Sequence, residues 1–169
     1  MTDMVTLIAR TAPLERELKT STRTVEQADT RPIGELYFSA YDPGLAGESL
    51  EAAIENMGAS LTGKYGKFLP KASHVSLDDD GHIIAAVLVV EKAVGDDTPD
   101  APFIFELFTD REFRRRGLAE DLVLSAMDSL FNAGYEEVAL SVDSNNAAAI
   151  ALYLSLDFHR WSPEWSGED

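Results

Sequence analysis

Between Phe103 and Leu156 the apolar residues change their repeat three times, and this alternation restricts the fold more than any other feature of the chain. Phe103 to Thr109 reads as a strand. After Phe113-Arg114-Arg115-Arg116-Gly117 the period lengthens to that of a helix, with Leu118, Leu122, Val123, Ala126, Met127 and Leu130 on one face and Glu120, Asp121, Ser125 and Asp128 on the other. Gly134 is a natural C-terminal stop. Val138, Leu140 and Val142 then alternate as a strand, Ser144-Asn145-Asn146 offers capping side chains, and an alanine-rich helix runs from Ala147 to Leu156. A strand, a helix and a second strand in this order form a crossover, so the strands at 103–109 and 137–142 are expected to be parallel neighbours.

Upstream, HVSLDDDGHIIAAVLVVEK reads as a hairpin: a strand at 74–78, a turn at Asp79-Asp80-Gly81 and a strand at 82–92. Pro32 to Tyr41 and Glu48 to Met57 are expected as helices separated by an Asp42-Pro43-Gly44 turn, with Gly58, Gly63 and Gly66 marking a loop. Short strands are expected at 4–10 and 16–25. The fold class that results is mixed α+β: a mostly antiparallel sheet with one parallel pair, flanked by about four helices. A chain of 169 residues is long enough for one domain with its own core, with an extra strand within residues 1–15 and a short tail at 159–169.

The chain has no cysteine, which removes disulfides, thiolate nucleophiles and cysteine metal sites from consideration. His74, His82 and His159 lack ligand spacing, so no metal is expected. The longest apolar run, Ile83 to Val90, is far shorter than the roughly 20 residues a membrane helix needs, and the N-terminus has no leader pattern; a cytoplasmic protein is expected. A net charge of −16 opposes binding to nucleic acid or to an anionic membrane.

Against that charge, three adjacent arginines followed by glycine need an explanation. A helix N-terminus presents unpaired N–H groups and about half a positive charge, and Gly117 would let a phosphate approach the backbone closely. The alternative is a solvated loop in which Arg114, Arg115 and Arg116 pair with surface acids. A second motif bears on the choice: Asn146-Ala147-Ala148-Ala149-Ile150-Ala151-Leu152-Tyr153, followed by Leu156-Asp157-Phe158. Gly58 to Lys64 has the spacing of a P-loop, but Tyr65 stands where a hydroxyl for magnesium is required. Asp78-Asp79-Asp80-Gly81 lacks the closing glutamate of a calcium loop, since Val87 stands there, and reads as the hairpin turn.

With both motifs in strand-to-helix context, the segment from 74 to 158 resembles the GNAT superfamily of acyl-CoA-dependent N-acyltransferases. Arg114, Gly117 and Ala119 match its first signature; Asn146, Ala149, Leu152, Tyr153, Leu156 and Phe158 match its second. The second segment looks especially like the ribosomal-protein N-terminal alanine acetyltransferases. The resemblance implies acetyl-CoA as cosubstrate, with the diphosphate held at Arg114, Arg115, Arg116, Gly117, Leu118, Ala119 and Glu120. It also implies that the pantetheine arm lies along Leu107, Phe108 and Thr109, that Asn146 touches the cofactor, and that Tyr153 protonates the departing sulfur. The acceptor would be a small-molecule or peptide amine, and a homodimer is allowed.

The chain departs from the family in three places. Ser141 stands where those alanine acetyltransferases have a glutamate base, so Glu106, the only acid between Ala101 and Phe108, becomes the candidate, with a solvent-facing strand glutamate as the alternative. Asp157 replaces the usual glycine. Only eleven residues follow Phe158, where the family adds further strands, so either the strand around Val5 to Ala9 or a partner chain must complete the sheet. These departures keep open a second reading, a GNAT-fold domain that binds CoA as a sensor without catalysis.

Overall fold

The computed structural model describes residues 3–41, 47–95, 98–114 and 116–162. The Asp42-Pro43-Gly44 turn, Arg115 and the segment from Pro163 onward, Trp165 included, lie outside them. Seven strands, β1 (Met4–Arg10), β2 (Ser21–Thr24), β3 (His74–Leu77), β4 (Ile83–Val90), β5 (Phe103–Thr109), β6 (Glu137–Asp143) and β7 (His159–Trp161), make one sheet in the order β2-β3-β4-β5-β6-β1-β7. The helices are α1 (Thr30–Ala40), α2 (Leu50–Leu61), α3 (Leu118–Asn132) and α4 (Ala147–Ser155). Every strand pair is antiparallel except β5 with β6.

The core follows from the two-residue repeat of the central strand. Ala85, Val87 and Val89 of β4 face α3 and join Leu122, Val123, Ala126 and Leu130, while Ala86 and Leu88 face α1 and α2 and join Ile33, Leu36 and Met57. Because both faces are covered, β4 reads as a continuous apolar run rather than an alternating one. Gly34 lets the two front helices touch, since a Cβ there would lie 2.8 Å from the Ile54 Cα.

Several expectations shift. β2 covers only 21–24, because residues 16–20 leave the sheet to pack on α3. Helix α2 continues through Gly58 to Leu61 instead of ending before it, capped at its start by Ser49. Asp121 and Ser125, assigned to the solvated face of α3, are buried. The Asp121 carboxylate accepts from the Arg16 guanidinium (2.9 Å) and from the amides of Lys19 (2.7 Å) and Thr20 (3.2 Å), which straps the β1–β2 connection across the first turn of α3. A buried carboxylate is tolerated there because its lone pairs are satisfied by charged and backbone donors.

The sheet is completed from within the chain. β1 pairs with β6 from Met4↔Asp143 to Arg10↔Glu137, and its other edge takes β7, formed by residues read as the start of a tail, through Thr6↔Trp161 and Ile8↔His159.

Candidate active site

The parallel pair opens almost as soon as it forms. Only Phe103↔Ala139 and Ile104↔Leu140 are in register between β5 and β6. On its other edge β5 pairs Ile104 with Val89 and Glu106 with Leu88, so Phe105 is an extra residue and bulges the strand. Beyond the bulge β5 diverges from β6, leaving a cavity of about 730 Å³ walled by both strands and by the N-terminal turns of α3 and α4.

Gly117 forms the turn into α3 with φ +80°, in the left-handed region, and brings no capping side chain. The first hydrogen bond of the helix runs from the Asp121 N–H to the Gly117 carbonyl. Among the described residues, nothing bonds the N–H groups of Gly117, Leu118, Ala119 or Glu120, and all four residues line the cavity. This is the arrangement an anion requires. The Lys19 side chain lies over the turn, its ammonium 2.8 Å from where a Gly117 Cβ would stand.

The arginines divide. Arg114 lines the cavity, but its guanidinium donates to the Ala40 carbonyl (2.6 Å) at the end of α1 and to the Thr109 carbonyl (3.2 Å). Its guanidinium thus braces two elements, whereas the resemblance implied a place on the diphosphate. Arg116 is exposed, with its guanidinium stacked 5.0 Å from the Phe113 ring centroid, and does not line the cavity. Arg115 lies outside the described residues.

The other candidates meet in the same space: Leu107, Phe108 and Thr109 on β5, and Asn146 and Tyr153 on α4. The Asn146 side chain accepts from the Ala149 N–H (3.1 Å), capping α4. Tyr153 is buried against Phe158, with ring centroids 5.6 Å apart, and burial pushes its phenol up to about 12, so it stays protonated at neutral pH. Glu106 is half-buried on the cavity wall, and loss of solvent raises its carboxyl to about 7 although the Tyr41 hydroxyl, donating at 3.0 Å, favours the charged form. Glu106 thus faces the cavity and Tyr41. Ser141 also lines the cavity, with its hydroxyl 3.2 Å from that of Thr6 on β1.

Tyr41, Asp121 and Lys19 escaped sequence reading. Tyr41 reaches Glu106 across 65 positions of chain, and only its place at the end of a helix distinguished it. Asp121 had a weak signal, an acid in the first turn of an otherwise apolar helix. The only group of acids and histidines near enough for a cation among the described residues is Asp78, Asp80 and His82 on the hairpin. There the Asp78 carboxylate already accepts from the Asp80 and His82 amides, which makes the turn.

Residues 62–158, more than half of the chain, match the acetyltransferase (GNAT) family, and the chain belongs to it. The [Ribosomal protein bS18]-alanine N-acetyltransferase of Salmonella typhimurium is 42% identical over 60 residues, which are 36% of this chain and 40% of that one. N-alpha-acetyltransferase 30 of Schizosaccharomyces pombe is 32% identical over 92 residues, 54% of this chain and 60% of that one. The chain thus spans less than two thirds of the length of these curated relatives. Among solved structures, a GCN5-related N-acetyltransferase from Sphaerobacter thermophilus superposes with a TM-score of 0.71 over 95% of this chain and 49% of that one, at 21% identity. The ribosomal-protein-S18-alanine N-acetyltransferase from Escherichia coli gives 0.61 over 85% and 79%, at 24% identity. At these identities the superpositions establish the fold.

Proposed function

We propose that the chain transfers an acetyl group from acetyl-CoA to a primary amine by direct attack, both substrates being bound together in the splayed cavity. The observation that carries this reading is the convergence of unpaired amides, a carboxyl of raised pKa and a protonated phenol on one space. The residues fit the cofactor: the amides of Gly117 to Glu120 would hold the diphosphate, Gly117 keeps their approach clear of a Cβ, and the diverging edge of β5 at Leu107 to Thr109 would receive the pantetheine arm. When bound, acetyl-CoA supplies an activated acyl thioester.

Glu106, half ionised near neutral pH, takes a proton from the acceptor ammonium and releases the free amine that attacks. Tyr153 would give its proton to the departing sulfur, and its phenolate would regain a proton, through water, from the acylated nitrogen as the adduct collapses to the amide. The cavity supplies the remaining factor, the fixed orientation of two reactants. One named relative is an alanine N-acetyltransferase of a ribosomal protein and another an N-alpha-acetyltransferase, and the wall of Tyr41, Phe105 and Glu106 suits a cationic acceptor with some apolar body. On this reading Glu106 is the base that Ser141 cannot be, which weighs against the non-catalytic CoA sensor. Release of CoA thiol from acetyl-CoA over a panel of primary amines tests the reading: turnover with at least one amine is expected. Tight CoA binding with no turnover across the panel would favour the sensor.

A further inference from the structure

The carboxyl of Glu106 does not hold its own position, and its support comes from an element outside the two motifs. Tyr41 terminates α1 and sends its hydroxyl to Glu106 Oε1 at 3.0 Å. Its ring is fixed by aromatic neighbours, with centroids 5.1 Å from Tyr37 and 6.2 Å from Phe108. The preceding residue is fixed as well, since the Ala40 carbonyl accepts from Arg114 at 2.6 Å and the Ser39 carbonyl accepts from Arg111 at 3.2 Å. Arg114 simultaneously holds the Thr109 carbonyl at the far end of the strand that carries Glu106. One guanidinium therefore joins the end of α1 to the end of β5.

We propose that Tyr41 is a positioning residue for Glu106, holding its carboxylate toward the cavity, and that Arg114 acts through Tyr41 by clamping the end of α1 to the end of β5. This rests on the reading of Glu106 as the proton acceptor. It reassigns the arginine of the first motif from phosphate binding to alignment of the base.

The chemistry of the arrangement is unsymmetrical. A hydroxyl that donates to a carboxylate stabilises the charged form, whereas burial opposes it, so Tyr41 limits how far burial raises Glu106. The other titratable groups around the carboxylate are the Tyr37 phenol from α1 and, beyond Tyr41, the Tyr153 phenol from α4. Tyr65 lies past Tyr37, and Arg114, Glu120 and Asp143 stand elsewhere on the cavity wall. The phenols of Tyr37, Tyr41 and Tyr153 remain neutral when Glu106 titrates, as burial pushes each of them up. Among these groups, the Tyr41 hydrogen bond is the one whose removal changes the proton affinity of Glu106 without changing the charge of the cavity.

The test follows the carboxyl directly in protein labelled with 13C-glutamate, the Glu106 resonance being identified by its loss in Glu106→Gln. Tyr41→Phe, which keeps the ring and its packing, is expected to raise the titration midpoint of Glu106 by about one pH unit, a tenfold change in proton affinity. Arg114→Lys, which keeps the charge but loses the planar fork, is expected to move it the same way by less. An unchanged midpoint in Tyr41→Phe overturns the proposal, and an unchanged midpoint in Arg114→Lys alone overturns the clamp. The pH dependence of kcat/KM separates this from the role of Glu106. If Glu106→Gln leaves the acidic limb in place, Glu106 is not the base; if that limb is lost yet stays at the wild-type pH in Tyr41→Phe, the base stands and the positioning fails.

Discussion

The two ends of the cavity are built from different material. At the Gly117 end the groups that face the cavity are main-chain amides, without partners among the described residues because of the geometry of a helix start. At the Glu106 end they are side chains whose behaviour depends on distant neighbours: a carboxyl perturbed by burial, a tyrosine from α1, and a guanidinium tying two elements together. The first kind of site is specified locally and tolerates changes in surrounding sequence. The second is specified only by the assembled fold.

The largest expected effect breaks the amide end. Gly117→Trp places a side chain where φ is +80° and where a Cβ already meets Lys19 at 2.8 Å and 3.0 Å, in front of the unpaired amides. We expect it to abolish the thermal shift that acetyl-CoA gives the wild-type protein. At a ligand concentration of 100 Kd that shift corresponds to about 2.7 kcal/mol. An undiminished shift in a folded variant would show that the phosphates bind elsewhere.

Next comes the carboxyl end. Glu106→Gln is expected to slow turnover by about 10²- to 10⁴-fold while leaving the acetyl-CoA shift intact. A base works when deprotonated, so wild-type kcat/KM should fall as pH drops through about 7, and this limb should vanish in the variant. Stability should move in the opposite sense. The folded carboxyl holds its proton up to about 7 from an ordinary value of 4.5, so the contribution of this group to stability declines as pH rises across that window, against the opposite slope of His74, whose buried imidazole is pushed down to about 4. Glu106→Gln removes only the first contribution, so from pH 5 to pH 8 the urea midpoint of the variant should rise relative to that of the wild type. Identical pH dependences in the two proteins would mean that the carboxyl is not strained by burial.

This contrast also explains what the sequence could disclose. The crossover of β5, α3 and β6 was legible because a change of apolar period is a local signal, and Gly117 drew notice because a missing Cβ at a helix start clears the backbone, although its left-handed φ had not been read from the sequence. Glu106 stood out as the only acid in an apolar run. Tyr41 did not, since a tyrosine ending a helix has no distinguishing pattern until α1 packs across β5. Asp121 looked solvated because helical periodicity assigns a face but cannot reveal that the loop at 16–20 covers it. The place of β1 was left between two options because pairing across nearly the whole length of the chain, from Met4↔Asp143 to Arg10↔Glu137, leaves no local trace. Arg114 shows the converse hazard: the motif marks its place on the cavity wall, but not that its guanidinium bonds the Ala40 and Thr109 carbonyls.

Tyr153 lies between the two ends, and its effect should be intermediate. Tyr153→Phe keeps the ring against Phe158 and removes only the hydroxyl. A fall of about 10²-fold in turnover, with the affinity for acetyl-CoA unchanged, is expected from loss of a general acid. Stopped-flow release of the thiol would check it. A variant with weakened acetyl-CoA binding and normal turnover at saturation would make Tyr153 part of the cofactor wall and nothing more.

The smallest effect concerns the strand behind the carboxyl end. Helix α4 closes with the Phe158 N–H bonded to the Tyr153 carbonyl and the Asp157 N–H to the Leu154 carbonyl, each near 3 Å, a pattern that needs a left-handed residue at Asp157. Asp157 supplies it at φ 69°, the only non-glycine with positive φ among the described residues. A Cβ is costly there, so Asp157→Gly should stabilise the fold by about 1 kcal/mol, visible as a raised urea midpoint with unchanged slope. The turn launches β7, which backs β1, whose Met4 lines the cavity. If strain at Asp157 serves only to connect α4 to β7, kcat/KM will not change as stability rises. If activity falls instead, the aspartate sets where β7 and β1 stand relative to Glu106, and the carboxyl end is tuned from its back as well as from Tyr41 in front.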